Sequence, residues 1–156
     1  MWIRPLVTVS SADARVRPAR REDIVPLVEM LGKNFVQHVP DPQHFDPARA
    51  ALVLDKLPRV FLALMGTDIV GCLALRHDVW WWTGSPFVTD TVFFLAEHAR
   101  ASTLARDLLA AGERYATGQG MPLLVGVLSG QDLERKGAWF ERRGYRALGG
   151  LYLKGA

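Results

Sequence analysis

A turn of small and cationic residues at positions 100–105 carries the clearest chemical signal in this sequence. It reads Arg100-Ala101-Ser102-Thr103-Leu104-Ala105. The first N–H groups of a helix have no partner within the helix, and the helix dipole adds positive charge there, so short side chains at that point let a phosphate approach. Arg100 adds a cation with a fork of donors. The turn therefore predicts a phosphate site, with a strand–helix turn that binds nothing as the alternative.

The segments on either side of this turn predict how it is positioned. Residues 91–96 are rich in β-branched and aromatic side chains, which is typical of a strand. Residues 97–102 form a short polar break. Residues 103–116 then repeat apolar side chains at helical spacing, at Leu104, Leu108, Ala111 and Tyr115. The N–H groups of residues 101–105 should therefore lie where a strand passes into a helix.

The remaining apolar patterns predict a mixed sheet with helices on both of its faces. Asp46 and Pro47 are a typical N-cap and first helical residue. Residues 1–12 are interpreted as an arm or extra strand, and 13–156 as one domain. The predicted strands are 14–17, 59–65, 69–76, 91–96, 123–128 and 145–154, the predicted helices are 21–35, 47–56, 103–116 and 132–143, and 77–86 is a loop.

Composition limits the class of protein. The 156 residues are 49% hydrophobic and 22% charged, which is ordinary for a globular domain. The net charge of +3 comes from scattered Lys and Arg, so it suits an anionic ligand but does not favour nucleic acid. No apolar run is long enough to span a membrane, and no secretory signal is expected at the N-terminus. The single Cys72 excludes an internal disulfide and favours a reducing, cytoplasmic compartment.

The stretch 95–105 resembles the acetyl-CoA motif of the GNAT N-acetyltransferase superfamily. That motif is a hydrophobic strand, a break, Arg or Gln, two residues, Gly, one residue, and Gly or Ala opening a helix. Arg100 and Ala105 match it, and Thr103 stands where Gly is usual. The order of predicted elements is also that of the GNAT fold, and residues 140–145 resemble the family's late aromatic–acidic–basic–x–Gly–aromatic segment. The tryptophan-rich loop is most similar to acetyltransferases encoded by phages and prophages.

The resemblance implies an α/β fold with a mostly antiparallel sheet of six to seven strands and about four helices. It implies acetyl-CoA as co-substrate, no metal, and an amine acceptor that is a small molecule or a protein. The pyrophosphate would bind the N–H groups of residues 101–105 with help from Arg100, and the pantetheine arm would lie along the preceding strand. The cofactor-binding residues implied are Phe94, Leu95, Ala96, Arg100, Ala101, Ser102, Thr103, Leu104 and Ala105.

The residues for proton transfer are less well marked. Asp90 lies at or near the start of the central strand, where the family often places a base, and it is the candidate catalytic and substrate-binding carboxylate. A carboxylate at the start of a strand that takes no part in binding or catalysis is an equal alternative for Asp90. Glu97, His98, His77 and Asp78 are weaker candidates for the base. The family's usual proton-donating Tyr is matched by Phe140, and its usual Asn by Leu133.

Trp80, Trp81 and Trp82 are candidate substrate-binding residues, because an aromatic wall suits a cation or a planar group. Packing, or a contact in a homodimer, is the alternative for at least one of them. Cys72 lies in an apolar strand and is expected to be buried and inert. The sequence thus predicts an acetyl-CoA-dependent N-acetyltransferase acting by direct transfer. The alternatives are a non-catalytic acyl-CoA-binding or structural module, and a domain that binds nucleic acid or a partner through the tryptophan loop.

Overall fold

The computed structural model describes residues 14–40, 42–127 and 131–154, and within them a five-stranded mixed sheet packs against helices on both faces. The strands lie in the order β1-β2-β3-β4-β5. The first three pairings are antiparallel, and β4 pairs with β5 in parallel. The elements are β1 (Ala14–Pro18), α1 (Ile24–Asn34), α2 (Pro47–Lys56), β2 (Arg59–Met65), β3 (Asp68–Val79), β4 (Pro86–Leu95), α3 (Leu104–Gly118), β5 (Leu123–Leu124) and α4 (Leu133–Glu141).

The core has two layers because successive strand residues point to opposite faces. Along β3, Cys72 and Ala74 pack with α1 and α2, whereas Leu73 and Leu75 pack with α3. A strand that is covered on both faces needs an unbroken apolar run, which is what the sequence shows here. Cys72 is fully buried, as predicted, and burial raises the pKa of its thiol to about 12.

The N-terminal half follows the predicted pattern closely. Helix α2 spans the predicted residues, and Asp46 caps it by accepting the N–H of Arg49 at 3.0 Å. The hairpin between β2 and β3 turns at Gly66, whose φ of +62° suits a residue without a Cβ. The predicted arm or extra strand at residues 1–12 lies outside the described residues.

The β3–β4 hairpin is longer than predicted. Backbone pairing continues out to Val79 and Pro86, so the predicted loop 77–86 shortens to 80–85. His77 and Asp78, which the sequence predicts in a loop, lie instead on an exposed part of the hairpin, where the His77 ring stacks on Tyr115. Asp90 consequently lies inside β4 and not at its start.

The prediction of strands in the C-terminal part of the sheet is wrong. Strand β5 is restricted to two residues of the predicted 123–128, and residues 145–154 form no strand. Within the described part of the chain the sheet therefore has five strands, whereas six to seven were predicted. Gly144 ends the preceding segment at φ +84°, and Gly149 adopts φ +154°. Leu151 and Tyr152 are 82% and 98% exposed, so no ladder or core holds this segment extended.

Candidate active site

A groove of about 410 Å³ opens beside the C-terminal half of β4. Residues 90–95 of β4 form one wall. Phe35, His38 and Val39, at the end of α1 and in the turn after it, form a second, and α4 forms a third. The groove ends at Arg100 and Ala105, so it runs from the turn before α3 along the strand that precedes it. The strand, turn and helix predicted from the sequence therefore border one open cleft.

The groove exists because β4 and β5 separate. Their backbones pair only at Val88–Leu123 and Thr89–Leu124. One residue further along β4, Asp90 Oδ1 accepts the N–H of Gly126 at 2.7 Å. The carboxylate thus bridges two strands whose backbones no longer pair, and both residues line the groove.

Asp90 is a partly buried carboxylate with competing influences on its pKa. Burial raises the pKa above the usual range, while the N–H of Gly126 and the charge of Arg76 act to lower it. Arg76 also donates to the backbone oxygen of Asp90 at 3.1 Å. A carboxylate with a raised pKa is a better proton acceptor near neutral pH than an ordinary one.

A β-bulge lies next to Asp90. Leu75 pairs with Asp90 and Ala74 with Val92, which leaves Thr91 without a partner on β3. The Thr91 hydroxyl is buried and has no hydrogen-bond partner within the described part of the chain. Bulges bend a strand and redirect its side chains, and this one lies where β4 turns away from β5.

The turn at 97–103 is held by its own hydrogen bonds. Arg100 Nε donates to the carbonyl of Leu95 at 3.1 Å, which fixes the guanidinium at the end of β4. The N–H of Ser102 bonds the Ala99 carbonyl at 3.1 Å, and the N–H of Leu104 bonds Ser102 Oγ at 3.3 Å. Two of the five N–H groups predicted for phosphate therefore already have acceptors. A phosphate here would bind the remaining groups in the first turn of α3 or displace the Ser102 hydroxyl.

The predicted cofactor residues are brought together in part. Phe94, Leu95, Arg100 and Ala105 line the groove. Ala96 and Leu104 are buried at 1% and 0% exposure, so only their backbone atoms can serve a ligand. The side chains outside the groove lining are those of Ala96, Ala101, Ser102, Thr103 and Leu104.

The tryptophans lie at the tip of the β3–β4 hairpin, outside the groove lining. Trp80 stacks on Phe87 with ring centroids 4.3 Å apart. Trp81 and Trp82 are 88% and 60% exposed and meet edge to face at 5.6 Å. One tryptophan is thus a packing residue, as the sequence allowed, and the assignment of the exposed pair to substrate stays a prediction.

The sequence analysis missed the wall at Phe35, His38 and Val39, and it named only Phe140 of the α4 wall. Phe35 meets Phe94 edge to face at 5.5 Å, and His38 lies 6.3 Å from the same ring. On the third wall, Arg135 and Trp139 of α4 line the groove. The concentration of cationic and aromatic residues in α4 could have marked it as a wall of the site. In contrast, no pattern within residues 35–39 indicates that they lie against β4.

Phe140 occupies the α4 wall next to other aromatic rings. It lies 6.3 Å from Phe93 and 5.4 Å from Tyr145, edge to face in both cases. The Tyr145 hydroxyl donates to Glu113 on α3 at 2.9 Å. Burial, and secondarily Glu113, raise the pKa of Tyr145 well above its usual range. Tyr145 is therefore committed to a structural contact and does not replace the missing tyrosine at position 140.

Solved structures that resemble this chain are acetyltransferases in several cases. An aminoglycoside acetyltransferase from an uncultured soil metagenomic sample, in complex with sisomicin, has a TM-score of 0.70 at 15% identity, covering 93% of this chain and 97% of its own. A ribosomal-protein-alanine N-acetyltransferase from Brucella melitensis has a TM-score of 0.70 at 14% identity, and the match covers 92% of this chain and 99% of that one. A Trypanosoma brucei acetyltransferase has a TM-score of 0.69 at 15% identity, and the match covers 92% of this chain and 100% of that one.

The chain has the GNAT acetyltransferase fold. The near-complete coverage of both chains confirms the fold class that was predicted from the order of elements. No protein-family model and no curated protein matches the chain. At this level of identity the likeness concerns the GNAT fold and not the substrate.

Two further findings concern the described residues. They contain no cluster of three or more His, Cys, Asp or Glu side chains that is arranged to hold a metal ion. None of their helices combines the length and the apolar character that are needed to cross a bilayer.

Proposed function

We propose that this chain is an acetyl-CoA-dependent N-acetyltransferase that transfers the acetyl group directly to an amine. The observation that carries the proposal is a single groove, lined along one strand, that includes both Arg100 at the turn before α3 and the carboxylate of Asp90. At about 3.3 Å per residue, the five steps along the strand from Leu95 to Asp90 span roughly 16 Å. This separation suits an elongated donor whose phosphates and reactive carbonyl lie far apart.

The residues present divide the reaction as follows. The pyrophosphate binds at the start of α3 and at Arg100. The pantetheine arm lies beside Phe94 and Leu95, and a backbone N–H of β4 polarises the thioester carbonyl. Asp90 takes one proton from the protonated amine, directly or through water. The neutral amine nitrogen then bonds to the carbonyl carbon and loses its second proton to water, the carbon–sulfur bond breaks, and the thiolate leaves.

The thiolate takes its proton from water, because Phe140 offers none at the usual place. A thiol of ordinary acidity is a good leaving group as its anion, so this step does not require a tyrosine. Proton removal from the amine remains the demanding step, which is why the raised pKa of the Asp90 carboxyl supports the proposal.

The acceptor is proposed to be a small-molecule or protein amine that enters from the side of the tryptophan hairpin. Phe35, His38 and Val39 offer it an apolar and partly aromatic wall. The named activities of the similar structures give two acceptor classes for a first panel: aminoglycosides and the alanine of a ribosomal protein.

The second candidate function is an acyl-CoA-binding module without turnover. Phe140 in place of the family's tyrosine and Thr103 in place of its glycine favour this alternative. Both functions require the same donor site, so binding alone does not separate them.

Calorimetry with acetyl-CoA, followed by a thiol-release assay with an amine panel, tests both functions. Binding together with thiol release that depends on an amine is the expected result. Binding without release from any amine would favour the module. No detectable binding at millimolar acetyl-CoA would reject both.

A further inference from the structure

The β3–β4 hairpin extends past the strands on either side of it. Strand β2 pairs with β3 only as far as Leu75, and β5 pairs with β4 only as far as Val88. Beyond these residues, β3 and β4 pair only with each other, out to Val79 and Pro86, within the part of the chain that the structure describes. The connection at residues 80–85, together with Val79 and Pro86, is the hairpin tip, and it projects from the sheet.

The hairpin tip is apolar and uncharged. The segment from Val79 to Phe87 reads VWWWTGSPF, without Asp, Glu, Lys, Arg or His. Val79, Trp81 and Trp82 are exposed. Tryptophan is enriched at the boundary between lipid headgroups and acyl chains, because its ring is apolar while its indole N–H still finds a polar partner there. The composition of the tip is therefore typical of a segment that enters a membrane interface.

Much of the backbone of the hairpin tip is hydrogen-bonded within the tip. The N–H of Trp80 donates to the carbonyl of Ser85 at 3.0 Å, and the N–H groups of Thr83 and Gly84 donate to the carbonyl of Trp80 at 3.2 and 2.7 Å. The N–H of Ser85 donates to Thr83 Oγ1 at 3.2 Å. A polar group that already has a partner costs less to transfer from water into a less polar medium than an unpaired one. The tip can thus leave water at low cost.

The aromatic rings of the hairpin tip hold one another in place. The ring of Trp81 meets that of Trp82 at 5.6 Å, Trp82 lies 5.0 Å from Trp80, and Trp80 stacks on Phe87 at 4.3 Å. Side chains that are already ordered lose little conformational entropy when they bind. The exposed pair is therefore prepared for a contact.

The size and shape of the hairpin tip favour a lipid surface over a second copy of the chain. An aromatic side chain buries about 150–250 Å² when it is covered, so the two exposed tryptophans supply at most roughly 500 Å². A stable interface between proteins buries about 800 Å² on each partner. Binding to a bilayer has no such minimum, because its strength grows with each apolar group that is buried. The net charge of +3 adds a weak attraction to anionic lipids.

We propose that the hairpin tip binds the interface of a lipid bilayer, with Trp81 and Trp82 inserted among the headgroups. Arg76 and Asp78, whose side chains lie 3.9 Å apart, are the first charged residues behind the tip on β3. They stay on the aqueous side, because transfer of a charge into the apolar layer is costly, and so they limit the depth of insertion. The acceptor contact assigned to the same rings is a separate property, and the lipid contact does not depend on the proposed function.

Co-sedimentation with vesicles made of equal parts of phosphatidylcholine and phosphatidylglycerol tests the contact. The unmodified protein should sediment with the vesicles. The double variant Trp81→Ala with Trp82→Ala should lower the partition coefficient about tenfold or more, because the apolar area that enters the interface is lost. Trp81→Ala alone should give an intermediate loss. High salt should weaken binding of the unmodified protein only in part, since salt screens the charges and not the apolar contact.

Tyr152→Ala is the matched control, because it removes an almost fully exposed aromatic side chain that lies outside the hairpin. It should bind vesicles as the unmodified protein does. No sedimentation of the unmodified protein, or equal sedimentation of the double variant, would overturn the lipid contact. A loss in Tyr152→Ala as large as in the double variant would overturn it too, since any exposed aromatic residue would then suffice. A dimer in size-exclusion chromatography that is absent in the double variant, without vesicle binding, would assign the tip to a second copy instead.

Discussion

Asp90 has two tasks open to it at the residue scale. Its Oδ1 atom accepts the N–H of Gly126 and so ties β5 to β4, and its raised pKa suits a base. The first task needs only an oxygen acceptor, whereas the second needs a group that can take a proton. An amide separates them because it keeps the acceptor and loses the basicity.

Asp90→Asn should lower kcat by about 10²-fold or more, because the amide cannot accept the proton of the amine. The melting temperature should change little, since the Gly126 contact is retained. Steady-state kinetics and thermal melting measure the two effects. Asp68→Asn, which changes an exposed carboxylate outside the groove lining, is the control and should keep full activity. An Asp90→Asn variant with normal kcat would remove Asp90 from the mechanism.

Phe140→Tyr should change kcat little. The new hydroxyl would lie in a site whose other residues are not arranged to use a proton donor at position 140. The rate of the unmodified protein should rise with pH as the acceptor proton is lost, then level off without a falling limb. A pH–rate profile of both proteins checks this. Tyr145→Phe is the companion variant: its hydroxyl is bound to Glu113, so the shape of the profile should not change. A falling limb that disappears in Tyr145→Phe would show that Tyr145 is the acid after all.

The β3–β4 hairpin is the most informative element. Its strands pair to Val79 and Pro86, so the tryptophans are carried away from the layers of the core. Trp80 is anchored on Phe87, whereas Trp81 has few neighbours. Apart from the lipid contact proposed above, the exposed pair Trp81 and Trp82 at the tip is the candidate contact surface for the substrate, and a contact with another protein molecule is the alternative.

Trp81→Ala should raise the KM for the acceptor several-fold and leave the affinity for acetyl-CoA unchanged, since the donor groove does not include this residue. Its 88% exposure means that stability should change by no more than a few tenths of a kcal/mol. Kinetics, calorimetry and size-exclusion chromatography are the measurements. If only the oligomeric state changes, the tryptophans are interface residues; if only acetyl-CoA affinity falls, their assignment to the acceptor is wrong.

At the scale of the whole molecule, an ion pair joins the edge of the sheet to the first helix. Arg17 on β1 binds Asp23 through two hydrogen bonds of 2.6 and 2.9 Å, and Asp23 Oδ2 also accepts the N–H of Arg20 at 2.7 Å. The Arg17 guanidinium is the main cause that lowers the pKa of Asp23 to about 2, against the opposing effect of burial. Asp23 thus stabilises the docking of α1 as long as it is ionised.

Asp23→Asn should lower the free energy of unfolding by about 2 kcal/mol at pH 7. The folded pKa lies below the unfolded one, so this contribution is complete above about pH 4 and is lost as the pH falls towards 2. The difference between the two proteins, measured by urea unfolding across that range, should therefore shrink at low pH. Glu22→Gln, at a 71% exposed side chain, should show little difference at any pH. A constant difference from pH 5 to 2 would contradict the ion pair.

The sequence alone determined the order of elements from β1 to α4, the burial of the sheet on both faces, and the turn at Arg100. These features depend on the spacing of apolar residues and on helix caps such as Asp46 before Pro47. Both involve only residues that are close together in the sequence. That is why the elements could be predicted, and with them the resemblance to the GNAT fold, while the limits of β4 and the missing strand at 145–154 could not. How far a strand pairs, and whether a segment pairs at all, depend on the neighbouring strand that it meets in the folded sheet.

Only the tertiary structure decided which residues share the groove. Phe35 and Arg135 are far from β4 in sequence, and they reach it because α1 and α4 approach the same opening. The opening itself arises where β4 and β5 stop pairing and Asp90 bonds Gly126 instead, a contact between residues 36 positions apart. No local pattern encodes such a contact, because its free energy depends on the packing of every element between the two residues.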